Sequence, residues 1–281
     1  LSELGCQVVT SRVSAPGVIH RGVEAVLSTP CFPVKVAHGH VLELLDKGVD
    51  YVWLPSVVNL PQDDASQRFN QLCPYVTSIP YQIAAVAGSE RQKGRLLMPA
   101  VHLQQGPRAL VQSLQGLCRV LGVGRADLRR AVAAAWRAQQ EFEEACRARG
   151  RQVLEGLRPG QHAMVLVSRP YNGCDPGVNL DVPGKLRKLG VLAIPMDFLD
   201  LRTRADAEDG VFAGMYWKYG QRILRAGRII RDDPRLHAVY LSNFSCGPDS
   251  FLIGYFKRIM APKPSLVLEI DEHSADAGVV T

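Results

Sequence analysis

LHAVYLSNFSCGPDSFLIGYFKRIM, residues 236 to 260, reads in three parts. His237 to Leu241 is an apolar run short enough for a buried strand. Ser242-Asn243-Phe244-Ser245 is a polar turn. After Cys246, Gly247 and Pro248, the residues Phe251, Leu252, Tyr255, Phe256 and Ile259 recur at helical spacing. The pattern predicts a strand, a turn and a helix, with Cys246 at the helix N-terminus. Free amides and the positive end of the helix dipole favour a thiolate there. In an open α/β sheet this is also the edge where ligands bind.

Two further cysteines sit in similar surroundings. Cys31 precedes Phe32-Pro33 and a helical pattern through Val34, Ala37, Val41, Leu44 and Leu45. Cys73 precedes Pro74 and another apolar stretch. A proline one or two residues downstream suits a helix start, where its missing N–H is no loss.

Working outward, strands are expected at Gln7–Ser11, Asp50–Pro55, Arg95–Val101, Ala163–Ser168, Val191–Ile194 and Ser265–Ile270. Helices are expected at Gly17–Leu27, Pro33–Lys47, after Cys73, across Gly106–Leu157, at Pro183–Leu189 and at Phe212–Ile230, with a polar loop over Pro61–Gln67. Such β–α alternation predicts an α/β protein with parallel sheets. The division expected is a first α/β domain over 1–105, a helical connection over 106–160 and a second α/β domain over 161–281. The start at Leu1 and the stop at Val279-Val280-Thr281 read as the ends of a fragment of a longer polypeptide.

With 281 residues, 47% of them apolar and 21% charged, the composition is that of a soluble globular protein of about two domains. No apolar run reaches the roughly 18–20 residues of a membrane span, and no signal-peptide pattern is present. A cytoplasmic location is expected. The net charge is +6, while residues 1–105 are balanced. The excess lies in arginines between Gly124 and Pro159, and reads as a solvated helical face. Only Trp136 and Phe142 interleave with them, too few aromatics for a single-strand nucleic-acid binder. The seven cysteines form no CxxC pair, which argues against the common structural zinc sites. Widely separated cysteines at helix starts suit a reducing compartment and a site assembled by folding.

Read from the residues alone, Cys31, Cys73 and Cys246 have two explanations. They can hold three irons of a cubane iron–sulfur cluster and leave the fourth open, or they can be ordinary buried cysteines. His38 and His40 are candidates for hydrogen bonds to cluster sulfides or for proton shuttling, with helix packing as the plainer role. Arg169, Tyr171 and Asn172 follow a strand end, as a ligand-facing loop would. Cys174, in that loop, is a candidate fourth thiolate. Asp271, Glu272 and His273 end the last strand as a polar turn or as an acid–base group. Cys6, Cys118 and Cys146 read as core or surface thiols.

The segments TPCFPVKVAHGHV, LCPYVTSIPY, RPYNGCDPGVN, NFSCGPDSF and EIDEHSADAGV, in this order, resemble the domain of unknown function attached to 2-hydroxyacyl-CoA dehydratase activases. That domain is similar to the cluster-binding subunits of 2-hydroxyacyl-CoA dehydratases and to double-cubane cluster proteins. The likeness runs from about Pro16 to Thr281. It implies two Rossmann-like domains joined by a helical segment, with a cluster between them on Cys31, Cys73 and Cys246. The cofactor implied is a [4Fe-4S] cluster, or one half of a double-cubane [8Fe-9S] cluster. The partner implied is an ATP-dependent activator that donates low-potential electrons, in the same polypeptide or in trans. An acyl-CoA or small-molecule substrate, anaerobic electron transfer and a dimer are further expectations. The chain shows no P-loop or Gly-rich phosphate motif, so ATP would act elsewhere. Three function classes remain open at this point. One is a redox enzyme component, a dehydratase or a small-molecule reductase. Another is a non-catalytic electron-transfer or scaffold module that docks the activator. The third is a cluster-free small-molecule binder.

Overall fold

Leu236–Asn243 forms the longest strand of a computed structural model that describes residues 1–63, 67, 69–86, 88, 94–202 and 214–274. The strand, β7, pairs in parallel on both sides. The strands of its sheet run in the order β6-β5-β7-β8, where β5 is Ala163–Val167, β6 is Leu192–Pro195 and β8 is Ser265–Ile270. A central parallel strand is covered on both faces, which is why seven of its eight residues are buried. The two-residue period divides them. Leu236, Ala238 and Tyr240 face the helices Lys218–Asp232 (α9) and Gly247–Met260 (α10), against Ile223, Ile230, Leu252 and Phe256. Val239 and Leu241 face the other way, towards Val182 of the helix Val182–Lys188 (α8).

The first half is also parallel but narrower. β1 (Val52–Trp53) pairs with β3 (Leu96–Leu97), and β2 (Ser56–Asn59) pairs with β4 (Ala100–His102). Both pairs share one register, Val52 with Leu96 and Ser56 with Ala100, and Ser56 N–H still reaches the Pro99 carbonyl at 2.9 Å. Pro55 and Pro99 fall between the two pieces. Neither has an N–H to give to a ladder, so one parallel ribbon is interrupted rather than two sheets formed. The α/β class with parallel sheets is as expected. A Rossmann-like sheet in each half goes beyond the two-stranded ladders seen in the first.

Gln7–Ser11 is not a strand. Among the described residues the segment pairs with no other strand, and Val8 and Val9 are exposed. The two valines suit a strand, yet no edge of the sheet takes them up. Helices α1 (Pro16–Ala25) and α2 (Phe32–Asp46) instead cross closely. A methyl on Gly39 would stand 2.0 Å from the Val18 carbonyl oxygen, and one on Gly22 equally close to that of Lys35. The crossing therefore needs both glycines, and it fixes the start of α2.

After the helix Pro74–Val86 (α3), the expected helical stretch resolves into Gly106–Ser113 (α4), Gln115–Leu121 (α5) and Arg125–Glu155 (α6). Near its start, α6 buries Leu128 and Val132 in a core with Val101, Val111 and Leu117. Near its end, Val153 and Leu154 pack on the core of the four-stranded sheet. Its arginines are largely solvated, with Arg147 and Arg151 both on Glu144. Among the described residues no helix is long and apolar enough to cross a membrane.

The two halves are tied near Cys73. Lys218 N–H donates to the Gln71 carbonyl at 2.9 Å, and Gln221 Nε2 to that of Phe69 at 2.6 Å. The expected helix at Phe212–Ile230 is described from Lys218 onward, residues 212 and 213 lying outside the described residues. So do 64–66 of the Pro61–Gln67 loop and everything after Ser274, including the end of the EIDEHSADAGV segment.

Candidate functional site

Cys31, Cys73 and Cys246 all stand where a helix begins. Cys31 is the N-cap of α2 and Cys246 that of α10, each with proline in the second helical position. Cys73 immediately precedes Pro74, the first residue of α3, and its carbonyl accepts from Thr77 N–H at 3.2 Å. The turn before Cys246 closes with Cys246 N–H on the Asn243 carbonyl at 3.1 Å, with Ser245 at φ 62°. That left-handed residue turns the chain from strand to helix. The turn borders an open cavity of about 320 Å³ at the carboxyl ends of β7 and β8, lined by Asn243, Ser245, Cys246, Gly247 and Glu269 among others.

Cys31 lies within electrostatic reach of both Cys73 and Cys246, although each of the three belongs to a different helix. Burial pushes the Cys31 thiol up to about 11, the nearby Cys73 adds to the rise, and the Val34 amide and Arg169 oppose it. Burial pushes Cys246 up to about 12; Arg169 and the Asp249 amide pull the other way, while the Asp249 carboxylate and Cys31 add to the rise. Neither sulfur closes a capping hydrogen bond. The shared feature is the amide of the third helical residue, Val34 in one helix and Asp249 in the other, which favours the thiolate. Tyr171 is within electrostatic reach of all of them. Its phenol is raised by burial, lowered by Arg169, and raised again by Cys246, Cys31 and Cys73.

Arg169 reaches this site as the N-cap of a short helix, Pro170–Cys174 (α7), directly after β5. Only 3% exposed, it directs Nη1 at Asp249 Oδ1, 2.6 Å away, and at Cys246 Sγ, 3.6 Å away. The Asp249 carboxylate also accepts from Tyr240 Oη at 2.9 Å and Ser242 Oγ at 2.6 Å. From sequence, Asp249 is a carboxylate in the first helical turn, where it can cap free N–H groups. The structure gives it other partners: it is 1% exposed and held by an arginine, a phenol and a hydroxyl. A buried carboxylate needs such partners. Asn172, in the same short helix, has a buried side-chain amide with neither atom hydrogen-bonded among the described residues.

The other candidates fall elsewhere. Cys174 is exposed, and its electrostatic neighbours are Asp197 and Cys146 rather than the three capping cysteines. Burial lowers the pKa of His38, whose Nδ1 is 2.8 Å from the Val34 carbonyl of its own helix. His40 Nε2 meets Ser14 Oγ at 2.8 Å, and Ser14 in turn donates to Asp175. His38 thus bonds within its own helix, while His40 Nδ1 is buried with no hydrogen-bond partner among the described residues. Asp271 accepts from His273 N–H and from Ser274 Oγ, a satisfied polar turn, while the His273 ring is exposed. Glu272 pairs with Lys35. Cys6, Cys118 and Cys146 are half-buried.

Thiols are the donor type that an iron–sulfur cluster takes. Among the described residues no three His, Cys, Asp or Glu side chains close on one point as the ligands of one metal ion do. The thiolates of a polynuclear cluster bind different irons and need not close on one point. Three thiols on three helix starts, with a buried cation beside them, provide sulfur ligands and compensation for their negative charge.

No curated protein matches the chain. The family model described as the CoA enzyme activase uncharacterised domain matches residues 1–199. That span contains Cys31, Cys73, Arg169 and Tyr171 and ends before Cys246, so the likeness expected to run to Thr281 is carried by the model only to residue 199. With well over half of its length matched, the chain belongs to the family of the CoA enzyme activase uncharacterised domain.

Proposed function

We propose that this chain is a cluster-binding redox component that accepts low-potential electrons from an ATP-dependent activator. It would use them for 2-hydroxyacyl-CoA dehydration or small-molecule reduction. The observation that supports the reading is the placement of Cys31, Cys73 and Cys246 at three helix N-termini, with Tyr171 within electrostatic reach of all three. Membership of an activase-related family supports the choice of partner.

Cys31, Cys73 and Cys246 would hold a [4Fe-4S] cluster or one half of a double cubane. When bound, the cluster supplies a one-electron store and an iron left without a protein thiolate. The chain's own residues then have separable tasks. Cys31 and Cys246 are protonated at neutral pH in the metal-free protein, so loading must displace their protons. The helix N-termini and Arg169 stabilise the thiolates that result. Phe32, next to Cys31 and 3% exposed, packs with Val36 and Val178 and keeps the start of α2 dry. The cavity beside Cys246 would let a substrate or partner approach that cysteine.

Anaerobic reconstitution with iron and sulfide, followed by metal counting and electron paramagnetic resonance, tests the reading. About four irons per chain and a reducible cluster signal are expected. A folded chain that takes up no iron under these conditions would sink it and favour a cluster-free binder. A cluster that is reduced but turns over no substrate would favour an electron-transfer or scaffold module.

A further inference from the structure

Beyond the three cysteines, the geometry points to Arg169 and Asp249 as a buried charge pair that positions Cys246 and sets the reduction potential of the cluster it holds. The inference rests on the cluster reading above. One nitrogen, Arg169 Nη1, makes both contacts: 2.6 Å to Asp249 Oδ1 and 3.6 Å to Cys246 Sγ. The pair is enclosed, with side chains 4% and 2% exposed, so water screens it little. Asp249 is fixed in turn by Tyr240 and Ser242 from the buried strand β7. The guanidinium therefore has one place to stand, and that place is against the sulfur.

The two charges act on the site with opposite sign. Reduction adds negative charge. A cation at hydrogen-bond range of a ligand sulfur favours the reduced state and raises the potential. The carboxylate beside it disfavours the reduced state and lowers the potential. A pair that merely held the fold would give no such opposition. Any loosening would move the potential the same way whichever member was changed.

The test is a redox titration followed by electron paramagnetic resonance on the reconstituted chain, with iron counted in each sample. Asp249→Asn keeps an acceptor for Arg169 and Tyr240 while losing the charge. It is expected to keep its iron and shift the reduction equilibrium about tenfold towards the reduced cluster, about 59 mV upward for one electron. Arg169→Gln is expected to shift it downward. Should Arg169→Gln not fold, because Asp249 is left buried without a cation, Arg169→Gln/Asp249→Asn takes its place with a smaller downward shift. Shifts of the same sign in the Asp249 and Arg169 variants, no shift in either, or a folded Asp249→Asn protein that loses its iron would each overturn the inference. A wild type that assembles no cluster would overturn the cluster reading and this inference together. A wild type that assembles one while both variants titrate unchanged would overturn this inference alone.

Discussion

Lys35, one turn into the helix that Cys31 opens, forms an ion pair with Glu272 just past β8, 237 residues away. The pair is largely enclosed, its side chains being 13% and 14% exposed. It locks α2 to the carboxyl edge of the four-stranded sheet, the edge at which Cys246 sits.

Removing one partner leaves the other charge stranded. Lys35→Met or Glu272→Gln is therefore expected to cost about 3 kcal/mol, the lower end of what breaking a buried pair costs. The double variant should cost clearly less than the sum of the two. Urea denaturation of the four proteins gives the coupling. Strict additivity would mean that the two side chains do not depend on each other.

The crossing of α1 and α2 makes a second expectation. Gly39→Ala would drive a methyl to within 2.0 Å of the Val18 carbonyl oxygen, which is backbone and cannot turn aside. A loss of about 3 kcal/mol is expected, as for overpacking elsewhere, with weaker iron loading because Cys31 is displaced. Gly17→Ala lies in the same helix pair with nothing within 4 Å of the new methyl. It should be neutral or stabilise by up to about 1 kcal/mol, from helix propensity alone. Thermal melts of both would compare a crossing glycine with an idle one. Equal effects would show that the contact is not limiting.

Parts of this arrangement were legible in the sequence and parts were not, for physical reasons. Strand β8 fell on the expected residues, and β7 with α10 lay within a few, because a buried run, a polar turn and a Gly-Pro start act locally. The Gln7–Ser11 segment reads as a strand by the same local rules, but pairing depends on a neighbour that the local pattern does not contain. Helix α7 was missed at Pro170–Cys174, although an Arg-Pro step after a strand is a helix-start signal. Asp249 was misjudged because its partner Arg169 is 80 residues away. Cys174 shares a segment with Tyr171, yet a few residues of helix turn it towards Cys146 and Asp197.

The metal-free protein should also lose stability in alkali. Cys31 and Cys246 have pKa values of about 11 and about 12 when folded, against 9.0 for an ordinary thiol. With folded values above the unfolded one, their contribution is whole below pH 9 and is lost as pH rises towards 11 and 12. Between those limits the unfolded chain binds fewer protons, so stability falls by about 1.4 kcal/mol per pH unit for each thiol. Other groups titrate in the same range. The measurement is therefore the difference in slope between the wild type and Cys31→Ala/Cys246→Ala, followed by urea denaturation from pH 8 to 10.5. Parallel curves would mean that these thiols are not held neutral by burial.

The sharpest expectation separates Cys246 from Cys174. Both follow strands of the same sheet by a few residues, and both lie in segments that suggested a ligand from sequence alone. Only Cys246 caps a long helix, faces Arg169, feels Cys31 electrostatically and acts on Tyr171. Serine is nearly isosteric with cysteine, but its hydroxyl is a poor substitute for a thiolate on iron. After anaerobic reconstitution, Cys246→Ser should therefore lose most of its iron and retain its circular dichroism spectrum. Cys174→Ser should keep the full complement of about four irons per chain, the stoichiometry of one cubane. A folded Cys246→Ser protein with all its iron would remove Cys246 from the ligand set. Loss of iron from Cys174→Ser, with Cys246→Ser unaffected, would move the site to the face that Cys174 shares with Cys146 and Asp197.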